Sequence, residues 1–581
     1  MKLKIFKKWH QNPELDHLLF FAQRLDELYF DYTLDTYKPP ALISTYLCRE
    51  AITLIHEIEN EVIDKNNLTP VLDELEWSIR NDEIAKRILN APVEKFILRG
   101  EDSKLIDTRV RLEVLERTLN PHTYILECQS AIKQAIIEKS KKRIDQLARS
   151  YTSALINHGI SKQSLYEKTI DFFFYGKEIT TTDEIEEYFT SVSPVVHEYE
   201  IYFLVSKLII EVKDSIPDFD IKILEELTAP ADEIAKTAKL FPTESEVWVE
   251  VEDIDGFDRY SARREAESRL DMIRDLFLLF SHKNRINWRP EVIISQCCEE
   301  RTVIVKKQKN SMEKCFDLRA QDASTRLNSL IKNIGLKNSS FKKFNRAVDL
   351  HGIGSTNDLP ENQLINIWIA LETLVPSHIN GGSKISKICN AILPILLRNY
   401  HKRILRRAAA DLIRWSRSKT SKILRKIKTK NSSDLYEKIL NLLALEENKD
   451  LRSELYAELG DFHLLRFRLY ELSELFSDPK KLISRVEIHE KKVSWQIRRI
   501  YRTRNLIVHS GKSPKYLDTL IENAHDYLDQ TLDSIVDYSC GILDAKTLEQ
   551  VFDMAKVDWD VYINNLREIK NIDESNFTKI L

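Results

Sequence analysis

At 581 residues the chain is too long for one compact core, and its length divides into roughly two to four domains. Hydrophobic residues at 43% and charged residues at 31% describe a soluble folded protein, and only 12 Gly and 16 Pro point to a largely α-helical one. The net charge of −4 says nothing about partners, and seven cysteines without a C-x-x-C pair argue against a disulfide framework or a zinc site and fit a reducing compartment.

The first residues, MKLKIFKKWHQNPELDHLLFF, are basic but hold no sustained apolar run and no small-residue cleavage site. LFLLF at 276–280 and ILPILL at 392–397 are too short to span a bilayer and read as core. A cytoplasmic protein without membrane contact is expected. Residues 1–240 read as consecutive helices. STYLCREAITLIHEIENEVI (44–63) opens with a candidate Ser44 cap, residues 110–148 hold two helices broken near Asn120-Pro121, and 190–240 repeats the helical pattern. No sequence repeat of fixed period appears. Residues 241–335 change texture and predict a small α/β module and linker. EVWVEVED (246–253) alternates as a half-buried strand does, SARREAESRLDMIRDLFLLF (261–280) is helical, and EVIISQC (291–297) and RTVIVKK (301–307) are strand-like. From 340 to 545 the spacing predicts a helical bundle, with helices over 362–375, 384–398, 400–428, 434–449, 451–476, 480–509 and 515–540. A helical tail occupies 546–581. The fold class expected is mainly α and multi-domain, with a small β-containing insertion near 242–310.

Charge is concentrated in one place. Residues 402–430, KRILRRAAADLIRWSRSKTSKILRKIKTK, carry twelve Lys or Arg against one acid, Asp411, a net +11 that leaves −15 for the remainder of the chain. Ile404, Leu405, Ala408, Leu412 and Trp415 form an apolar stripe on this helix, so the basic residues are either its solvated face or a footprint for a phosphate backbone. The excess is larger than solubility requires and favours nucleic acid, with Arg403, Arg406, Arg407, Arg414, Arg417, Lys422, Arg425 and Lys426 as candidate contacts.

The stretch RRIYRTRNLIVHSGK (498–512) combines charge with a core-facing helix. At about 100° per residue, Arg502, Asn505 and His509 fall within about 40° of Arg498 and make one polar stripe. Ile497, Ile500, Tyr501 and Val508 lie opposite, at roughly 200–300°, and Arg504 falls among them near about 240°. A guanidinium left unpaired in a core costs several kcal/mol, so Arg504 is expected to meet a carboxylate or a charged ligand. Ser510-Gly511 and Pro514 supply helix-end signals, which puts His509 in the last turn, where the helix dipole favours imidazolium. Spacing alone is weak, because NRAVDLH (345–351) also offers an arginine, Arg346, and a histidine, His351. His463, His489 and His525 lack partners at ligand spacing, and no metal or other cofactor is expected.

RTRNLIVHSG is very similar to the signature of the HEPN superfamily, helical-bundle domains with an R-x(4–6)-H motif in which a polar residue commonly follows the arginine. Here these residues are Arg504, Asn505 and His509. Upstream, LINIWIALETLV (364–375) resembles the opening helix of the Apea-like branch, where a Trp and a Leu-Glu pair recur before a variable loop; here they are Trp368, Leu371 and Glu372. The resemblance covers roughly 340–545, and residues 1–340 match no motif.

The resemblance implies a metal-independent endoribonuclease acting in bacterial phage defence, with its active site where two copies meet. His509 would move protons, Arg504 would hold the phosphate, and Asn505 would position the 2′-OH or His509. RNA, with tRNA one candidate, would be the substrate. A homodimer and a phage-derived trigger are the implied partners, with residues 1–240 a candidate sensor or regulatory region. Arg498 and Arg502 would support the site. Glu372 is either the carboxylate that neutralises Arg504 or an exposed residue without a role. On an ideal helix Arg504 and His509 stand about 140° apart, so one pocket needs a distorted last turn or two subunits. Two alternatives remain: a non-catalytic regulator that binds nucleic acid or protein, and a chain whose working part is 1–340 with the C-terminal bundle as dimeriser.

Overall fold

The computed structural model describes Trp9 and residues 12–30, 41–97, 104–296, 301–314, 318–427 and 434–581. Cys297, Cys298, Cys315, Lys428 and Lys430 lie outside the described residues. The protein is mainly α with a small antiparallel sheet, and it forms two compact units. One comprises Met1–Ala154, Thr180–Thr182 and Asn310–Leu581; the other comprises Leu155–Ile179 and Asp183–Lys309.

The first helices are α1 (Asp16–Tyr29), α2 (Ser44–Glu59), α3 (Leu68–Asn81), α4 (Glu83–Ile88), α5 (Leu105–Thr118), α6 (Pro121–Ile137), α7 (Lys141–His158), α8 (Lys162–Ile170) and α9 (Ile185–Ser191). Asn120 ends the α5 segment and caps α6, its side-chain oxygen accepting from the His122 and Thr123 amides, with Pro121 in the first turn where no amide is needed. Lys139, at φ 57°, then breaks the expected second helix into α6 and α7. Ser44 is not the cap of α2: its hydroxyl is buried against Ser78 and Asp82, and Ile43 holds the cap position.

The sheet starts earlier than the alternation pattern indicates. Its strands are β1 (His197–Ser206), β2 (Ile221–Leu224), β3 (Glu246–Gly256), β4 (Glu291–Gln296) and β5 (Arg301–Lys306), with α10 (Ala229–Ala238) and α11 (Arg259–Leu278) inserted. The order is β2-β3-β1-β4-β5, antiparallel throughout. The central strand β1 lies in the stretch expected to be helical. Ile201, Phe203 and Val205 face the α11 side while Tyr202 and Leu204 face the α10 side, so both faces are buried and the sequence shows an unbroken apolar run. Such a run does not distinguish a strand from a helix by periodicity. Asp258 caps α11 reciprocally with Ser261, a capping box.

The C-terminal helices are α12 (Ala320–Asn333), α13 (Asn338–Thr356), α14 (Pro360–Leu374), α15 (Lys384–Arg398), α16 (Tyr400–Leu424), α17 (Leu435–Ala444), α18 (Lys449–Glu458), α19 (His463–Phe476), α20 (Pro479–Ser510), α21 (Leu517–Ser539), α22 (Leu548–Glu568) and α23 (Phe577–Ile580). The expected helix over 451–476 is two, because Gly460 adopts φ 49° between α18 and α19. The basic helix α16 is broken at Ser416 (φ −162°, ψ 104°). Phe344, Trp368, Leu371, Ile392, Ile500, Leu528 and Phe552 share one core, which therefore draws on α13, α14, α15, α20, α21 and also α22. Each fully buried Leu or Ile there stabilises by about 1.5–3 kcal/mol, so α22 belongs to the bundle energetically and is not a detachable tail. No helix among the described residues is long and apolar enough to cross a membrane.

Candidate functional site

The C-terminal turns of α20 carry the candidate site. Asp478 caps its start by accepting from the Lys480 amide at 2.9 Å, and Pro479 occupies the first turn. Val493, Ile497, Ile500 and Ile507 anchor it in the core, and Tyr501 packs against Trp368 of α14 with ring centroids 5.5 Å apart. The helix runs without a break through Ser510 and ends at Gly511 (φ 65°), whose amide bonds Ile507 O at 3.0 Å. This is the left-handed termination that glycine allows, and it places His509, exposed, in the last turn.

The arginines on these turns have different surroundings. Arg499 is fully buried and donates to Glu50 (3.0 Å) on α2, Glu74 (2.6 Å) on α3 and Gln496 (3.1 Å). Arg502, also buried, donates to the other Glu50 oxygen at 2.6 Å. Burial alone would depress the Arg499 guanidinium, but Glu50 and Glu74 outweigh it and hold it above its ordinary value. Burial raises the Glu74 carboxyl, whereas at Glu50 the two guanidinium groups overcome burial and lower it. Arg498 is half-buried and reaches Ser386 of α15 at 3.4 Å.

Arg504 differs from both. It is half-buried, its Nη1 donates to Asn505 Oδ1 at 2.9 Å, and its buried Nε has no hydrogen-bond partner among the described residues. No carboxylate among the described residues lies within ion-pair distance of it. Glu372 is not its partner: that carboxylate accepts from Trp368 Nε1 at 3.1 Å and pairs with Lys384. Position explains the pairing. Glu372 lies at the end of α14 beside the start of α15, where Lys384 is nearer.

The polar stripe also differs from expectation. Arg502 and Asn505 are buried and Arg498 is half-buried, and Arg502 meets Glu50 from α2. On the opposite side Val508 is 48% exposed, so the apolar face runs out before the helix ends and Arg504 sits at its edge rather than in its middle. Arg499, the most deeply buried cation here, was not singled out from the sequence. A signal for it existed: no Asp or Glu occurs from Lys491 to Leu517, so any buried arginine in that stretch must draw its counter-charge from elsewhere in the chain.

On α16, Ile404, Leu405, Ala408 and Leu412 are buried as expected. Arg403 donates to Leu396 O at 2.7 Å and is half-buried, as is Arg407. Arg406 stacks its cation over Tyr436, and Lys426 is paired with Glu454 at 2.6 Å. Arg414, Arg417, Lys422 and Arg425 are exposed, with no carboxylate in ion-pair distance among the described residues. Three of these, with Ser418 and Ser421, line an open concavity of about 510 Å³. Asp411, the one acid of the segment, is buried against Arg468 at 2.9 Å and does not offset this face.

The structure also gathers residues far apart in the sequence. His351 of α13 and His525 of α21 approach to 2.9 Å between Nε2 atoms, with Asp529 one turn on from His525. His525 thus has the partners at ligand distance that its sequence neighbourhood lacks.

The chain matches no protein-family model, and no curated protein or solved structure matches it significantly.

Proposed function

We propose that the chain is a metal-independent endoribonuclease of the HEPN kind, similar to its Apea-like branch, acting in the cytoplasm as a gated effector of bacterial phage defence. One observation carries the reading. On a single helix, Arg499 and Arg502 are each supplied with carboxylates, while Arg504, on the turn next to exposed His509, has none among the described residues and keeps a buried donor unused there. A half-buried guanidinium without an acid is held ready for an anion, and a phosphodiester is such an anion.

RNA brings its own nucleophile. The 2′-OH attacks the adjacent phosphorus as His509 takes its proton, the P–O5′ bond breaks, and the 5′-oxygen leaves with a proton from an imidazolium. The products are a 2′,3′-cyclic phosphate and a 5′-OH end. Arg504 stabilises the charge that grows on the non-bridging oxygens, where a preformed donor acts most strongly. Asn505, bonded to Arg504, fixes the direction of that guanidinium.

Because α20 stays helical through Ser510, a single copy presents Arg504 and His509 about 140° apart. The distorted-turn route to a shared pocket finds no support, which favours the two-copy one. In a homodimer one His509 serves as base and the same residue of the second copy as acid. The exposed Arg414, Arg417, Lys422 and Arg425, without a carboxylate among the described residues, supply the non-specific grip on the RNA backbone.

Purified wild type, Arg504→Ala and His509→Ala are incubated with total RNA and with tRNA, with and without EDTA. Once its restraint is released, by adding lysate of phage-infected cells, wild type alone is expected to cut, insensitive to EDTA, leaving cyclic-phosphate ends. Equal cutting by all three proteins would contradict the assignment.

A further inference from the structure

The histidine pair between α13 and α21 has the geometry of a metal site. His525 is buried and Asp529 follows it by four residues, so both project from one face of α21. His351 comes from α13, 174 positions away in sequence, and its Nε2 lies 2.9 Å from His525 Nε2. Asp529 closes the triangle, with one carboxylate oxygen 3.4 Å from His351 Nε2 and the other 3.5 Å from His525 Nε2. Two ligands held at about 2.0–2.1 Å on a tetrahedral ion stand about 3.3 Å apart. The two nitrogens, 2.9 Å apart, and one Asp529 oxygen all lie within 4.8 Å of one another, close enough for small side-chain rotations to reach that edge length.

A hydrogen-bonded histidine pair is the alternative. It accounts for the short contact between the two Nε2 atoms, but leaves Asp529 at 3.4 and 3.5 Å from both nitrogens, long for a charge-assisted bond to either. One cation held by both nitrogens and one carboxylate oxygen accounts for the short nitrogen–nitrogen contact and for a carboxylate lying beside both rings. Imidazole donors select a borderline first-row ion over Mg²⁺ or Ca²⁺, which take oxygen ligands.

We infer that His351, His525 and Asp529 form a binding site for a divalent first-row transition ion, of the zinc or ferrous class, that staples α13 to α21. Three protein ligands leave at least one position open to water, consistent with the partial exposure of His351 and Asp529. The site is carried by α13 and α21, not by α20, and its ion takes no part in the phosphodiester chemistry. Because the ion binds only the folded chain, it stabilises the bundle by mass action.

The test uses the full-length protein stripped with EDTA and returned to chelator-free buffer. It is titrated with Zn²⁺, with Fe²⁺ under argon, with Co²⁺ as a spectroscopic probe, and with Mg²⁺ as control, with thermal unfolding followed in parallel. Wild type is expected to bind one Zn²⁺ or Fe²⁺ per chain and to unfold at higher temperature when loaded. Co²⁺ should give tetrahedral d–d bands without thiolate charge transfer, which separates this site from the cysteines. His351→Gln and Asp529→Asn, both at partly exposed positions, should fold and lose at least ~100-fold in affinity, beyond the cost of losing an outer-shell partner. The same Co²⁺ spectrum decides the matter on wild type should a variant fail to fold. No saturable binding by wild type, thiolate-dominated cobalt bands, or unchanged affinity in both variants would overturn the site.

Discussion

Glu50 sits between two buried guanidinium groups, and its position shows how unequally α20 treats its arginines. One carboxylate bonds Arg499 through one oxygen and Arg502 through the other, while Glu74 meets Arg499 alone. Removing one member of such a buried set leaves an uncompensated charge, a far larger penalty than losing an exposed pair. Glu50→Ala is therefore expected to lower the unfolding free energy by about 3–5 kcal/mol in urea titration. Arg504→Met, at a side chain with no acid to strand among the described residues, should change it by less than about 1 kcal/mol. Equal costs for the two substitutions would mean that Arg504 has a structural role after all. The sequence exposed this contrast only in part. Helical spacing located Arg504, Asn505, His509 and the glycine stop, but the acids that separate Arg499 and Arg502 from Arg504 lie more than 400 residues upstream. Periodicity within one helix contains no information about them.

On α16 the same logic applies at the level of a helix face. The buried stripe and the buried Asp411–Arg468 pair hold the helix down without using Arg414, Arg417, Lys422 or Arg425. Those four have no carboxylate in ion-pair distance among the described residues and are exposed to meet phosphate. Replacing them together by Glu should leave unfolding unchanged but weaken RNA binding and make the plot of log affinity against log salt shallower by about 3. A slope that does not move would assign this face to solubility. Element by element, legibility followed the physics of burial. Helices with one apolar face, such as α14, α15 and α20, are visible in the spacing. The strand β1 is not, because burial on both faces erases alternation, and the splits at Gly460 and Ser416 depend on backbone angles that neither residue type dictates. The metal-site geometry was invisible for a related reason: His351 and His525 are neighbours only after α13 and α21 pack into one bundle.

At the scale of the molecule, α2 and α3 from the N-terminal part hold the helix that carries the candidate catalytic residues. A second buried network repeats the arrangement, with Arg468 of α19 bonded to Glu27 of α1 at 2.5 Å and Arg24 of α1 paired with Asp145 of α7 at 2.7 Å. These contacts place the region before 155 and the C-terminal bundle in one compact unit, so the N-terminal helices are built into the structure that positions α20. A nuclease active without restraint in its own cytoplasm would be lethal, and a rearrangement of α2 and α3 would reach Arg502, two residues from Arg504. The proposed function requires cleavage by Arg504 and His509 under the conditions that release it. The most direct measurement is to infect cells expressing wild type, Arg504→Ala or His509→Ala with phage, and to sequence RNA bearing 2′,3′-cyclic phosphate ends. New ends in infected wild-type cells, with protection, and neither in the two variants is the predicted result. Protection by both variants, with the same RNA ends as wild type, would contradict the catalytic role.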